Sequence, residues 1–163
     1  MPYLLDADVF IRAKNLHYGL DFCPAFWDWL DREHAAGQVF SVEKVGDELQ
    51  AIADNLSTWA QQRSGAFFLR PDAKMLPALA QVSAWIVGQP QYATAARNAF
   101  LQAADYYLIA HALAHSDVVV THEVPAPLAI RKIKIPDVCI GLGVKFIAPH
   151  EMLRNEHARF VLR

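Results

Sequence analysis

Short apolar runs alternate along the chain with longer stretches in which apolar residues recur at helical spacing. Tyr3-Leu4-Leu5 is a brief run that stops at Asp6-Ala7-Asp8, the pattern of a short buried strand. Residues 23–36 predict a helix, with Pro24 at its start, Phe26, Trp27, Trp29 and Leu30 as apolar faces and Gly37 as its stop. Gln38-Val39-Phe40-Ser41-Val42 predicts a second strand, followed by a helix over 43–53 with Val45, Leu49 and Ile52 in phase. A short helix over 56–62 and a strand-like run at Phe67-Phe68-Leu69 come next. Asp72 is placed to cap a helix reaching Val87, with Pro77 either in its first turn or at a kink, and Gly88-Gln89-Pro90 breaks it. Residues 94–114 are helical, in one piece or two. Val118-Val119-Val120 reads as a buried parallel strand. A loop with Pro125 and Pro127 follows, then a short helix opened by Pro136 and ended at Gly141 or Gly143, a strand over 144–147 and a helix from Pro149.

Strands that alternate with helices specify an α/β fold with a mostly parallel sheet. In such sheets ligands sit outside the carboxyl ends of the strands. The length of 163 residues suits one domain over 1–163, and 54% hydrophobic against 20% charged residues excludes a disordered chain. No window holds about 18 consecutive apolar residues, so no membrane span is expected. The opening Met1-Pro2-Tyr3-Leu4-Leu5-Asp6 lacks the basic region of a signal peptide, and Cys23 and Cys139 form neither a disulfide framework nor a zinc motif. A cytoplasmic, reducing location is the expectation. Fifteen basic against seventeen acidic residues give a net charge of −2, so bulk positive charge cannot hold a polyanion.

The acids change that picture. Asp6 and Asp8 follow the first strand, Asp47 and Glu48 lie on the helix after the second, Asp105 precedes the valine strand and Glu123 follows it. All can face one end of one parallel sheet. Asp105 stands among Ala103, Ala104, Leu108, Ile109 and Ala110, where a carboxylate is costly unless paired or bound to a metal, or unless it caps a second helix. Converging carboxylates without Cys or His favour a hard cation, Mg²⁺ or Mn²⁺. Two such ions about 3.5–4 Å apart can clamp both oxygens of a phosphodiester displacement. Metal ions would then supply the positive charge that the chain lacks.

Four segments in order resemble the motifs of PIN-domain nucleases: Leu-Leu-Asp-Ala-Asp-Val-Phe-Ile at 4–11, Ser-Val-Glu-Lys-Val-Gly-Asp-Glu-Leu at 41–49, Ala-Asp-Tyr-Tyr-Leu-Ile-Ala-His-Ala at 104–112, and Val-Val-Thr-His-Glu at 119–123. The tail at 132–146 is similar to a subgroup of bacterial PIN-like proteins. The resemblance implies a PIN-like three-layer α/β/α fold and a Mg²⁺- or Mn²⁺-dependent endoribonuclease, the toxin of a toxin–antitoxin pair of VapC type. It implies an RNA substrate, an antitoxin partner and a homodimer. It assigns Asp6, Glu48, Asp105 and Glu123 to the catalytic metal site, with Thr121, Asp8 and Asp137 as auxiliaries. Asp8 stands where the family more often has Asn or Ser, and Glu123 where it more often has Asp. The basic residues beside the motifs, Arg12, Lys14, Arg131, Lys132 and Lys134, are the candidates for RNA phosphates.

Three rival readings use overlapping residues. Asp6 and Asp8 also resemble the nucleophile and general acid of haloacid-dehalogenase-type phosphatases, with Thr121 as a second motif, but Glu48 and Asp105 then have no role. His111 and His115 are four apart on a helical face with His122 nearby, a possible zinc set without the internal Glu of the zinc-protease pattern. A non-catalytic PIN-like module that binds RNA or protein is the third. Trp27, Trp29, Trp59 and Trp85 with Phe22, Phe26, Phe67 and Phe68 could stack bases, but their amphipathic setting favours the core.

Overall fold

The computed structural model describes residues 1–162; residue 163, the last of the expected 1–163 domain, lies outside the described residues. The apolar runs become strands and the stretches between them become helices. The order is β1 (Tyr3–Leu5), α1 (Ala7–Arg12), α2 (Pro24–Ala35), β2 (Val39–Val42), α3 (Glu43–Leu49), α4 (Asn55–Gln61), β3 (Phe68–Leu69), α5 (Met75–Val87), α6 (Thr94–Gln102), α7 (Ala104–His115), β4 (Val118–Val120), α8 (Ile135–Leu142), β5 (Phe146–Ile147) and α9 (Pro149–Asn155). A π-helical segment, Ala13–His17, extends α1.

The five strands pair in the order β3-β2-β1-β4-β5, every pair parallel. Leu4 stands opposite Phe40 on one side and Val119 on the other, and Leu5 opposite Val120. Leu4, Leu5, Val119 and Val120 are fully buried, which is why their segments read as continuous apolar runs rather than alternating ones. The chain steps from β1 to β2 in one direction and from β3 to β4 in the other. Right-handed crossovers therefore put α2 on one face and α5, α7 and α8 on the other, giving three α/β/α layers. Helix α7 packs on β2 and β4 and gathers α5, α6 and α8 around it. Ser41, wholly buried, donates its hydroxyl to the Leu5 carbonyl at 2.6 Å and ties β2 to β1 where the two strands end.

Several boundaries differ from expectation, for local reasons. The helix after β2 stops at Leu49 rather than at residue 53, and Ile52 is exposed. Asp54 instead starts α4 through a capping box in which the Ser57 amide donates to its carboxylate at 2.8 Å and its own amide donates to the Ser57 hydroxyl at 3.0 Å. Residues 94–114 divide at Ala103, whose extended backbone (ψ 160°) separates α6 from α7. Asp72 holds the Met75 amide at 3.2 Å, but α5 begins only at Met75, which leaves Pro77 in the tolerated first turn. The strand after α8 shortens to Phe146–Ile147, because Gly143 turns left-handed (φ 73°) and the Val144 amide closes the helix on Cys139. The sequence pattern gave no helix over 7–17, although Ala7, Val9, Phe10 and Ala13 are its buried face. Among the described residues no helix is long and apolar enough to cross a membrane. Cys23 and Cys139 are both free.

Candidate functional site

Strand β1 lies between neighbours reached by crossovers of opposite direction, so a crevice opens outside the carboxyl ends of β1 and β4. A cavity of about 550 Å³ occupies this position. Asp6, Asp8, Glu48, Asp105 and Glu123 line it, with Arg12, Lys132, Lys134 and His122 and the apolar Ala7, Ile11, Val124 and Ala126. The four acids assigned to the catalytic site thus come from four separate segments.

Each acid is positioned by the element that carries it. Asp6 ends β1 and opens α1; its backbone carbonyl accepts the Val9 amide at 3.1 Å, but its side chain makes no cap bond. That carboxylate, only 5% exposed, accepts the Thr121 hydroxyl at 3.0 Å, and the same hydroxyl oxygen accepts the Glu123 amide at 3.1 Å. Thr121 is therefore a brace that links the end of β1 to the loop after β4. Asp105 sits in the first turn of α7, whose cap position is Ala103, and its carboxylate makes no capping bond. The alternative in which Asp105 caps a second helix does not hold: the helix does begin here, but Ala103 takes the cap position. Glu48 lies in the last turn of α3, more exposed, at the cavity wall. Glu123 is partly committed: one oxygen accepts the Ile135 amide at 2.8 Å at the start of α8, and the other stands 4.0 Å from the Lys132 ammonium. The reach to Ile135 gives the additional methylene of Glu over Asp a structural use.

The acids repel one another in a partly dry site. Burial pushes the Asp6 carboxyl up to about 8, and the charges of Asp105, Glu123 and Asp8 push the same way against the Thr121 hydrogen bond. Burial, then Glu123 and Glu48, raise Asp105 to about 6, opposed by Lys132 and Lys134. Burial and Asp8 also raise Glu48. Burial and the Arg12 charge hold the His122 imidazole below its ordinary value, though Asp8 pulls upward.

Among the described residues no three Asp, Glu, His or Cys side chains converge closely enough to hold one ion. The acids line a shared wall rather than a point. The donor set nevertheless fits a hard divalent cation on two grounds. It is all oxygen, and Mg²⁺ takes one or two carboxylates while keeping several waters. Its two most buried members also carry repulsion that the protein's own cations leave unrelieved.

The other expected residues divide. Arg12, Lys132 and Lys134 reach the cavity, Arg12 while paired to Asp8 at 2.8 Å. Lys14 does not line it and is held by Asp54 at 3.0 Å. Arg131 lines an adjoining cavity that shares Asp105 and Lys132. Asp137 accepts the Ala126 amide at 3.0 Å and anchors the loop rather than lining the site. The three histidines of the zinc reading separate: His122 lies at the carboxyl end of the sheet, whereas His111 and His115 share a cavity with Pro2 and Asp117 at the amino end. Trp27, Trp29, Trp59, Phe26, Phe67 and Phe68 are core residues, and Phe22 is exposed. The sequence reading did not single out His17 or His150, which lie beside His122; scattered single histidines carry no spacing signal.

The chain matches the family described as "Domain of unknown function (DUF4411)" over residues 3–160, and it belongs to that family. No curated protein matches it, and no solved structure does.

Proposed function

For this member of the DUF4411 family we propose a divalent-metal-dependent endoribonuclease that hydrolyses phosphodiester bonds of single-stranded RNA. The observation that carries the reading is a set of acids at the switch point of the sheet whose mutual charge the chain does not neutralise. The motif resemblance to PIN-domain nucleases supports the same residues.

Asp6, Glu48, Asp105 and Glu123 line the wall that would hold Mg²⁺ or Mn²⁺, one or two of them as direct donors, and the bound ion would supply positive charge at the scissile phosphate. Thr121 fixes Asp6 by holding one of its oxygens, leaving the other for the cavity. Lys132, Lys134 and Arg12 contact the flanking phosphates, each charge neutralising a share of the backbone. Asp137 keeps the loop between β4 and α8 in place through Ala126.

The toxin role, the antitoxin partner, the homodimer and the PIN-like fold type rest on the resemblance alone. The ribonuclease reading is tested with purified protein, labelled single-stranded RNA and Mg²⁺ or Mn²⁺. Cleavage that disappears with a chelator and in Asp105→Asn supports it. Metal-independent cleavage overturns the metal-dependent mechanism, RNA binding without cleavage replaces it with the non-catalytic module, and hydrolysis of an aryl phosphate but not RNA replaces it with the phosphatase. Growth arrest on induction of the wild type but not of Asp105→Asn is the outcome expected of a toxin.

A further inference from the structure

A second cavity, of about 260 Å³, adjoins the acid site and shares His122 with it as a common wall. Three imidazoles line it, those of His17, His122 and His150, above apolar surface from Val9, Ala13 and Phe26. These histidines come from three distant segments: the end of the π-helical stretch, the loop after β4 and the first turn of α9. The imidazoles that serve the fold are hydrogen-bonded, His34 to the Val39 carbonyl, His111 to Asp117 and His115 to Asp72. Among the described residues His17, His122 and His150 make no such bond; neither does the exposed His157, which lies outside the cavity. His17 and His150 are exposed and His122 is half-buried, so the cavity has an open mouth and a deep side toward the acids.

The π-helical stretch gives the arrangement its reason. The Tyr18 amide donates to the Ala13 carbonyl at 2.7 Å, closing an i→i+5 turn. In an α-helix, side chains four apart drift around the axis by about 40°. The wider turn offsets that drift, so Val9, Ala13 and His17 all line one wall. Such turns are rare and concentrate at functional sites. The floor is rigid: Tyr18 stacks on Phe26 at 4.5 Å and 11°, and Phe160 packs edge-on against both. The rings of His17 and His122 are 6.0 Å apart.

We infer that this cavity is a base-binding subsite, which takes the purine or pyrimidine of one nucleotide whose phosphate lies over the adjoining acids. Flat imidazole faces stack on a base, their nitrogens pair with its polar edge, and the apolar wall replaces the neighbours from which the base has unstacked. The volume lies below the roughly 300–1,000 Å³ of larger ligand pockets, as suits one base rather than a whole nucleotide. The inference rests on the ribonuclease reading for its occupant and predicts that cleavage depends on the base beside the scissile bond.

The test uses full-length, Mg²⁺-loaded protein and the four nucleoside 5′-monophosphates, with ribose 5-phosphate as the baseless control, followed through the imidazole signals in NMR spectra. At least one nucleotide should shift His17, His122 and His150, and ribose 5-phosphate should leave His17 and His150 unmoved. His17→Ala and His150→Ala should each weaken that nucleotide at least fivefold with Mg²⁺ affinity within twofold, and His17→Phe, which keeps a stacking face, should restore part of the loss. Equal shifts from ribose 5-phosphate, or nucleotide affinity unchanged in both alanine variants, overturn the subsite. RNA cleavage with the same product ends in wild type and the double variant also overturns it while leaving the ribonuclease standing. Base binding at the three histidines in a protein that cleaves no RNA leaves the subsite standing and overturns the ribonuclease.

Discussion

Helix α7 carries a titratable cluster at each end, and the two are built on opposite principles. At its amino end Asp105 faces Asp6, Glu48 and Glu123 across a cavity, where burial first and like charge second raise Asp6 and Asp105. At its carboxyl end each acid has an imidazole: Asp117 bonds His111 at 2.8 Å and Asp72 bonds His115 at 2.8 Å, with the two rings stacked at 4.4 Å. Burial pushes Asp72 upward, but the bond and charge of His115 outweigh it and hold the carboxyl below its ordinary value. The carboxyl-end cluster is complete within the chain and serves the fold. The amino-end cluster has no such partners among the described residues, and on the proposed reading a cation from outside supplies them. Acidic residues are therefore informative less by their number than by whether the chain supplies their partners.

Substituting the buried acid at each end should separate the two principles most sharply. Asp6→Asn is expected to lower metal-dependent RNA cleavage at least about 100-fold, while the metal-free protein becomes more stable at pH 8. Asp117→Asn should do the reverse, losing about 1–3 kcal/mol by weakening the partner of buried His111 and keeping cleavage per folded molecule within a few-fold. Thermal melts beside a cleavage assay decide it. Loss of stability in Asp6→Asn with activity intact would erase the contrast.

A pH series follows from the same difference. Asp105 and Asp6 have folded-state values raised to about 6 and about 8, above those of an unfolded chain. Their contribution to stability is full below the unfolded value near pH 4 and is lost as pH rises through 6 and then 8. The metal-free wild type should thus lose melting temperature between pH 5 and 9 relative to the Asp6→Asn, Asp105→Asn double variant. Mg²⁺ should recover more of it the higher the pH, at about 2–4 °C per kcal/mol. Parallel curves for the two proteins without metal would refute the assignment.

The cations give smaller effects. Lys132→Ala with Lys134→Ala should weaken RNA binding and reduce the slope of log affinity against log salt by up to about 1.4, the share of two phosphates on a single strand. Lys14→Ala removes a residue already paired to Asp54 outside the cavity, so its salt slope should match the wild type. Filter binding across a salt series distinguishes the two, and equal slopes would remove Lys132 and Lys134 from the RNA path. The smallest effect is expected from His115→Ala, a partly exposed pair worth under about 1 kcal/mol.

Much of this architecture was legible in the chain. The fully buried strands announced themselves as apolar runs, because a strand covered on both faces has no polar side to alternate with. The stops at Gly37 and Gly143 were legible because a left-handed turn favours glycine (φ 77° and 73°). The end of α3 and the start of α5 were not: the Asp54–Ser57 box opens α4 where apolar spacing continued α3, and α5 begins only at Met75, three residues after Asp72. Helix α1 and its π extension were not legible, because Asp6 and Asp8 directly after an apolar run mark a strand end and the buried face of Ala7, Val9, Phe10 and Ala13 is short. The acids at 6, 48, 105 and 123 were found from strand ends and motif order. The split among the cations was not, since whether Lys14 faces Asp54 or the cavity depends on a segment forty residues away.

By itself the sequence determined the α/β class, the parallel sheet and the acids available at strand ends, because periodicity and residue type act locally. Tertiary structure decided which charges remain unpaired. Glu123 is drawn toward Ile135, Asp8 is matched by Arg12, and Asp6 is left dry beside Asp105. It also brought His17, His122 and His150 around one cavity. The electrostatic cost of an acid depends on its distance from other charges and from water, and only the folded chain sets those distances.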